Sequence, residues 1–353
     1  MELFIELLKG GLAAFEDYLL AHTINCLVPA FFIAGALYAL FPKEKILRYL
    51  GANSPKYISY PMSVVAGLCL AVCSCTVLPL FAGIRRSGAG LGPAIAFLYT
   101  APATNILAII YTAKLIGLDV ALARIILSII FAIIIGISMA ALFSDKKENA
   151  PNASSEQALV TKVDSKTSNW LWVFFALLVV ILLWGASSLI TLTVKLIGGA
   201  VLIGILIYVV RRTLSKDDVN SWMRETWFFA RTIFPLLLAG VFVAGILRAV
   251  IPGDFISENF GASTITATLG AVIFGVFMYF PTLVEVPMAR MFLDLGVGKG
   301  PLLAYLLADP VISLPSILVI RRFIGTKRLF WYIGIIIVCC TAAGLLYGFV
   351  TGL

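Results

Sequence analysis

Three cysteines, Cys69, Cys73 and Cys75, fall close together in one apolar run. Thiolates are soft ligands suited to soft metals and metalloids. Cys69 and Cys73 stand four apart, a spacing that puts both on one face of a helix, and Cys75 joins them only where that helix is distorted. Packing is the alternative, because free cysteine is a common small buried hydrophobe. Cys339 and Cys340 lie in the last apolar run without polar company and read as packing, as does Cys26. A second set is acidic. Glu285 and Asp309 interrupt apolar sequence, where an ionisable side chain costs about 2.5–3.5 kcal/mol on insertion scales and marks a functional site by default. Glu285 reads either as a working carboxylate or as the ion-pair partner of Arg290. Asp309 directly precedes Pro310 and has no partner in its own segment. Proton coupling through either residue is the functional reading; capping of a broken helix is the bland one for Asp309.

Both sets sit in one frame written twice. Cys73-Ser-Cys-Thr-Val-Leu-Pro79, then Gly88-x-Gly90-x-Gly92-Pro93, Ala96-x-Leu98 and Pro102, match Pro281-Thr-Leu-Val-Glu285-Val-Pro287, Gly296-x-Gly298-x-Gly300-Pro301, Ala304-x-Leu306 and Pro310 at a constant offset of 208. Proline within a helix removes a donor and clashes with the carbonyl four residues back. Breaks are therefore expected at Pro79, Pro102, Pro287 and Pro310, freeing the carbonyls of Cys75, Leu98, Leu283 and Leu306. Pro93 and Pro301 are expected at the first helical position after a glycine turn. Kinks and close helix packing would explain one such motif; two in register point to a binding site at the contact between the halves. The residues assigned to it are Cys73, Cys75, Pro79, Thr104 and Asn105 in the first copy and Glu285, Pro287, Asp309 and Pro310 in the second. A metal reading groups Cys69, Cys73 and Cys75.

The elements that must position these residues are membrane spans. The chain has 353 residues, 61% hydrophobic and 12% charged, against about 25% charged in a soluble domain. Runs long enough for a ~30 Å hydrocarbon core lie near 22–41, 58–84, 92–113, 119–142, 170–191, 193–211, 228–250, 264–289, 301–320 and 329–350. The expected fold is an all-α polytopic membrane protein of about ten transmembrane helices, in two four-helix repeats with Gly/Pro-broken helices. The division is an amphipathic surface helix over 1–21, repeat 1 over 22–142, a hydrophilic linker over 143–169, an inserted hairpin over 170–211 and repeat 2 over 228–353. No signal peptide with a basic start is expected. Net charge is +8 and reads as loop charge rather than a nucleic-acid footprint.

Repeat orientation stays open. Counting every run as a crossing makes the repeats parallel, and Lys and Arg divide almost evenly between the two sides. The loop after Pro42 is basic and its counterpart after Pro252 is acidic. That contrast favours inverted repeats and requires one misread span.

At these motifs the chain resembles the predicted-permease family that includes the organoarsenical efflux permease ArsP and the YraQ-type proteins. The likeness rests on Cys73-Ser-Cys75-Thr-Val-Leu-Pro79-Leu, Gly88-Ala-Gly90, Ala96-Phe-Leu and Pro102-Ala-Thr-Asn105, with the second copy through Pro310. It implies a multi-pass protein of a prokaryotic cytoplasmic (inner) membrane that exports a small solute, with trivalent organoarsenicals the substrates of one branch. Thr76 and the Pro102-Ala-Thr-Asn stretch depart from some branches. No Gly-x4-Gly-Lys-Ser/Thr motif is present, no cofactor is expected, and energy would come from an ion gradient or a partner. A membrane thiol oxidoreductase working through Cys73 and Cys75 with a thioredoxin-like partner is the competing hypothesis; it does not need Glu285 or Asp309. The expected partners are a small-molecule substrate, the lipid bilayer and, as an option, further copies of the chain.

Overall fold

The computed structural model describes residues 12, 16, 27–40, 49–51, 54–70, 73–143, 168–186, 192–250, 264–277, 280 and 282–351. All but two residues of the surface helix expected over 1–21, Cys26, the contrasting loops after Pro42 and Pro252, and almost all of the linker lie outside them. Among the described residues the fold is helical: α1 (Val28–Ala39), α2 (Lys56–Leu70), α3 (Ser74–Arg86), α4 (Leu91–Ala103), α5 (Ile106–Leu115), α6 (Leu118–Leu142), α7 (Ser168–Ala186), α8 (Leu192–Thr213), α9 (Lys216–Val250), α10 (Ile265–Phe277), α11 (Thr282–Asp294), α12 (Lys299–Ala308), α13 (Leu314–Ile324) and α14 (Thr326–Thr351). A lone antiparallel bridge pairs Gly51 with Ala89. Among the described residues three helical stretches are long and apolar enough to cross a bilayer: α6, Lys216–Val243 of α9, and α14. The pair α4–α5, bent by 46°, counts as a fourth if its two helices are taken as one broken span. The chain is thus a multi-pass membrane protein.

Chain direction follows from close contacts. Gly92 at the start of α4 faces Gly136 late in α6, and Ala103 at its end accepts a hydrogen bond from Arg124 early in α6, so α4 and α6 are antiparallel. In the second half Gly300 of α12 faces Gly344 of α14 in the same way. A Cβ on Gly136 would lie 2.8 Å from the Gly92 carbonyl, and one on Gly344 would lie 2.6 Å from that of Gly300. Only glycine lets the backbones approach so closely.

Tyr60 lies against Gly92 and Gly67 against Thr100, so α2 runs parallel to α4 and ends beside its C-terminal turn. The intervening α3 must return to the start of α4. The run 58–84, read from the sequence as one crossing, is therefore a helical hairpin. The run 264–289 behaves likewise. Gly275 of α10 packs against Tyr305 and Asp309 near the end of α12, and α11 comes back to the start of α12. Four short helices replace two long ones.

That correction bears on the direction of the halves. Tyr347, near the end of α14, donates to Asp119 at the start of α6 at 2.9 Å, and Lys299 at the start of α12 reaches the same carboxylate at 3.2 Å. Arg328, near the start of α14, stacks over Phe143 after the end of α6 at 5.8 Å. The helices α6 and α14 are antiparallel, as the charge contrast required and the simple count of crossings did not.

The proline positions also differ from expectation. Pro79 and Pro287 sit within α3 and α11, past the first turn, and the helices continue through them. The interruptions fall just before these helices, and after Ala103 and Ala308. Pro102 lies in the last turn of α4 and Pro310 directly beyond α12. Pro93 and Pro301 are the third residues of their helices rather than the first, still within the turn whose N–H groups need no helical acceptor. The turns before them use glycine at matched places, Gly88 at φ +101° and Gly296 at φ +93°, backbone that favours a residue without a Cβ.

Candidate functional site

The sequence of α6 places Arg124 within two turns of its start, on the face that α4 covers. The side chain is fully buried. Its Nε donates to the Ala103 carbonyl at 3.2 Å, where α4 ends and the chain has no further helical donor to offer. Nη1 donates to Thr112 Oγ1 on α5 at 3.4 Å. Nη2 lies 3.0 Å from Glu285 Oε1 and 3.3 Å from Oε2, on α11. Glu285 is buried completely, so this is an ion pair in the protein interior, joining the broken helix of one half to the hairpin of the other. Arg290 is not its partner: that residue pairs with Asp294 at 2.7 Å on the exposed end of α11 and donates to the Leu115 carbonyl at 3.0 Å.

Asp309 caps the end of α12 through its own N–H, which donates to the Tyr305 carbonyl at 2.9 Å. Its carboxylate is buried, and neither oxygen has a hydrogen-bond partner among the described residues. It lies within electrostatic reach of Glu285 and Arg124. Ser128, one turn beyond Arg124, buries another unsatisfied hydroxyl. Two carboxylates and one guanidinium thus share an interior where each charge is expensive unless matched.

Hairpin α2–α3 has no buried carboxylate at the matched place, where α3 carries Val77. Cys73 stands just before α3, with its sulfur 2.9 Å from Thr76 Oγ1. Cys75 is buried in the first turn, and Cys69 is exposed on α2. The spacing argument for a three-cysteine metal site fails because the helix ends between Cys69 and Cys73 and the chain reverses. Among the described residues no group of three His, Cys, Asp or Glu side chains is gathered at metal-binding range. Thr104 is buried and donates to the Thr100 carbonyl at 2.8 Å. Asn105 accepts from the Ala108 N–H at 3.4 Å, an N-cap for α5. Pro79, Pro102 and Pro310 are buried, whereas Pro287 is on the exposed face of α11.

Tyr99 of α4 donates to the Leu307 carbonyl of α12 at 3.1 Å, tying the halves together, and lies 3.9 Å from the Cys340 sulfur. Cys340 therefore has polar company that its apolar run concealed. Neither Arg124 nor Tyr99 was singled out from the sequence. The available signal was an arginine inside an otherwise apolar run of spanning length. A cavity of about 1140 Å³ lies between α1, α7, α8 and α9, lined by none of these groups. Its wall is mainly apolar, so the charged cluster is the better candidate for chemistry.

The sequence profile of a family described as "Predicted permease" matches residues 9–349. The chain belongs to that family. This permease is 38% identical over 349 residues to UPF0718 protein MJ0584 of Methanocaldococcus jannaschii, covering 95% of this chain and 94% of the relative. It is 20% identical over 304 residues to UPF0718 protein YraQ of Escherichia coli, covering 86% and 70%. No solved structure matches it. A permease family with archaeal and bacterial members places the protein among membrane transporters.

Proposed function

We propose that the chain is a proton-coupled secondary permease of a prokaryotic inner membrane that exports a small thiol-reactive solute, of which a trivalent organoarsenical is the best representative. Its frame is two inverted repeats, 22–142 and 228–353, with 143–169 as linker and 170–211 as an inserted hairpin. The observation that carries the reading is the buried Arg124–Glu285 pair beside the unpartnered Asp309. Such groups inside a membrane protein face transport pathways and proton relays, and broken helices in both halves are where transporters bind substrate and coupling ion. Asp309 is the proton carrier. Cys73 and Cys75, beside the tip of hairpin α2–α3, supply soft ligation. The oxidoreductase alternative uses only those two cysteines and leaves the charged group idle.

The test uses everted vesicles with an imposed proton gradient and methylarsonous acid as probe. Protein-dependent accumulation should collapse with a protonophore and disappear in Cys73→Ser and Cys75→Ser. Accumulation indifferent to the gradient would remove proton coupling, and accumulation indifferent to both serine variants would remove the thiol site. A mixed disulfide with a thioredoxin-like protein, trapped at Cys73, would favour the oxidoreductase.

A further inference from the structure

We infer that one proton and one guanidinium are exchanged between the two buried carboxylates. Arg124 pairs with one of Glu285 and Asp309 while the proton neutralises the other, and the swap releases hairpin α10–α11 from α4 and α6. The exchange deepens the proton-coupled reading, on which it rests for its purpose but not for its chemistry.

Charge balance comes first. Two carboxylates and one guanidinium sum to one negative charge. An ionised carboxylate without a partner is disfavoured in a dry interior relative to its neutral acid. Glu285 has the guanidinium, so the proton in the present arrangement belongs to Asp309, whose oxygens meet no donor. Geometry comes second. Arg124 is held on one side by the Ala103 carbonyl and Thr112, both in the first half, and offers Nη2 to the second half. A planar fork with separate donors can keep the first contacts while its free edge changes carboxylates; a lysine could not.

The step is balanced. The O–H bond at Asp309 breaks and one forms at Glu285; the guanidinium leaves Glu285, now neutral, for the Asp309 carboxylate. The net charge of the group does not change. Hairpin α10–α11 loses its ionic tie to α6, and α12 gains it. The surrounding titratable groups do not compete. Tyr305 of α12 lies with Asp309 against Gly275, Tyr99 of α4 donates to the Leu307 carbonyl, and Cys340 of α14 lies against Tyr99; these are phenols and a thiol whose ordinary ranges lie above neutral. From α10 the facing residue is Gly275, and the Arg290 and Asp294 charges of α11 pair with each other at its exposed end.

Infrared difference spectroscopy of the full chain in nanodiscs, with no substrate or gradient, reads the carbonyl stretch of buried protonated carboxylic acids. The wild type at neutral pH should show one such band. Asp309→Asn and Glu285→Gln, both near-isosteric, should each lose it, because the remaining carboxylate takes the guanidinium and needs no proton. Arg124→Gln should double it. A band that survives in Glu285→Gln means that the proton is fixed on Asp309 and overturns the exchange, as does a wild type without a band. The predicted band pattern in a protein that fails to accumulate any probe would leave the exchange standing and sink the transport reading instead.

Discussion

Hairpins α2–α3 and α10–α11 share Gly67 with Gly275 and Pro79 with Pro287 at matched places, are followed by matched glycine turns, and each lies beside a short helix that ends deep in the protein. They differ in what occupies matched places. Val77 stands in α3 where α11 has Glu285; Ala101 stands in α4 where Asp309 follows α12; and Tyr332 stands in α14 where α6 has Arg124. All six are buried, at 2% exposure or less. Each set draws on both halves, and one is uncharged where the other carries charge. The frame is thus separable from the chemistry: glycine turns and helix ends recur at matched places, and three substitutions decide whether the place is charged.

The sharpest way to break that comparison is to move the charge. Val77→Glu alone should leave an unpaired buried carboxylate and cost about 3–5 kcal/mol, measured by thermal unfolding in detergent and by yield. Adding Tyr332→Arg should recover much of the loss; no recovery would mean that the two places are not equivalent. Arg124→Ala should cost a similar amount, about 3–5 kcal/mol, by stranding Glu285. The double variant Arg124→Ala/Glu285→Leu should be far closer to wild type, since it removes both charges. Equal loss in single and double variants would show that Arg124 matters through Ala103 and Thr112 instead. Asp309→Asn keeps the shape and cannot ionise. Proton-driven accumulation should then fall to the level reached without a gradient and lose its pH dependence; an unchanged pH profile would assign Asp309 to helix capping. Smallest of all, Tyr99→Phe removes the donor to the Leu307 carbonyl and should cost about 1 kcal/mol, a contact shared by both halves and indifferent to pH.

Composition by itself determined the solvent: with 12% charged residues the chain has to satisfy its backbone within helices in lipid. The offset of 208 likewise marked the glycine turns at Gly88 and Gly296 and the helix ends near Pro102 and Pro310, where Gly and Pro act through the local backbone, though not Pro79 and Pro287, through which the helices continue. The burial of Glu285 and Asp309 was legible too, as a carboxylate in an apolar run is conspicuous wherever the chain goes. Partner choice was not. Arg290 is five residues from Glu285 in sequence, yet it faces the exposed end of α11, while Arg124 comes from the other half. Only the tertiary structure decided that pairing, and only it decided that 58–84 turns back instead of crossing. An apolar run is equally apolar whether it spans or folds into a hairpin. The direction of α3 is settled by Tyr60 against Gly92 and Gly67 against Thr100, contacts between residues that local preference cannot bring together.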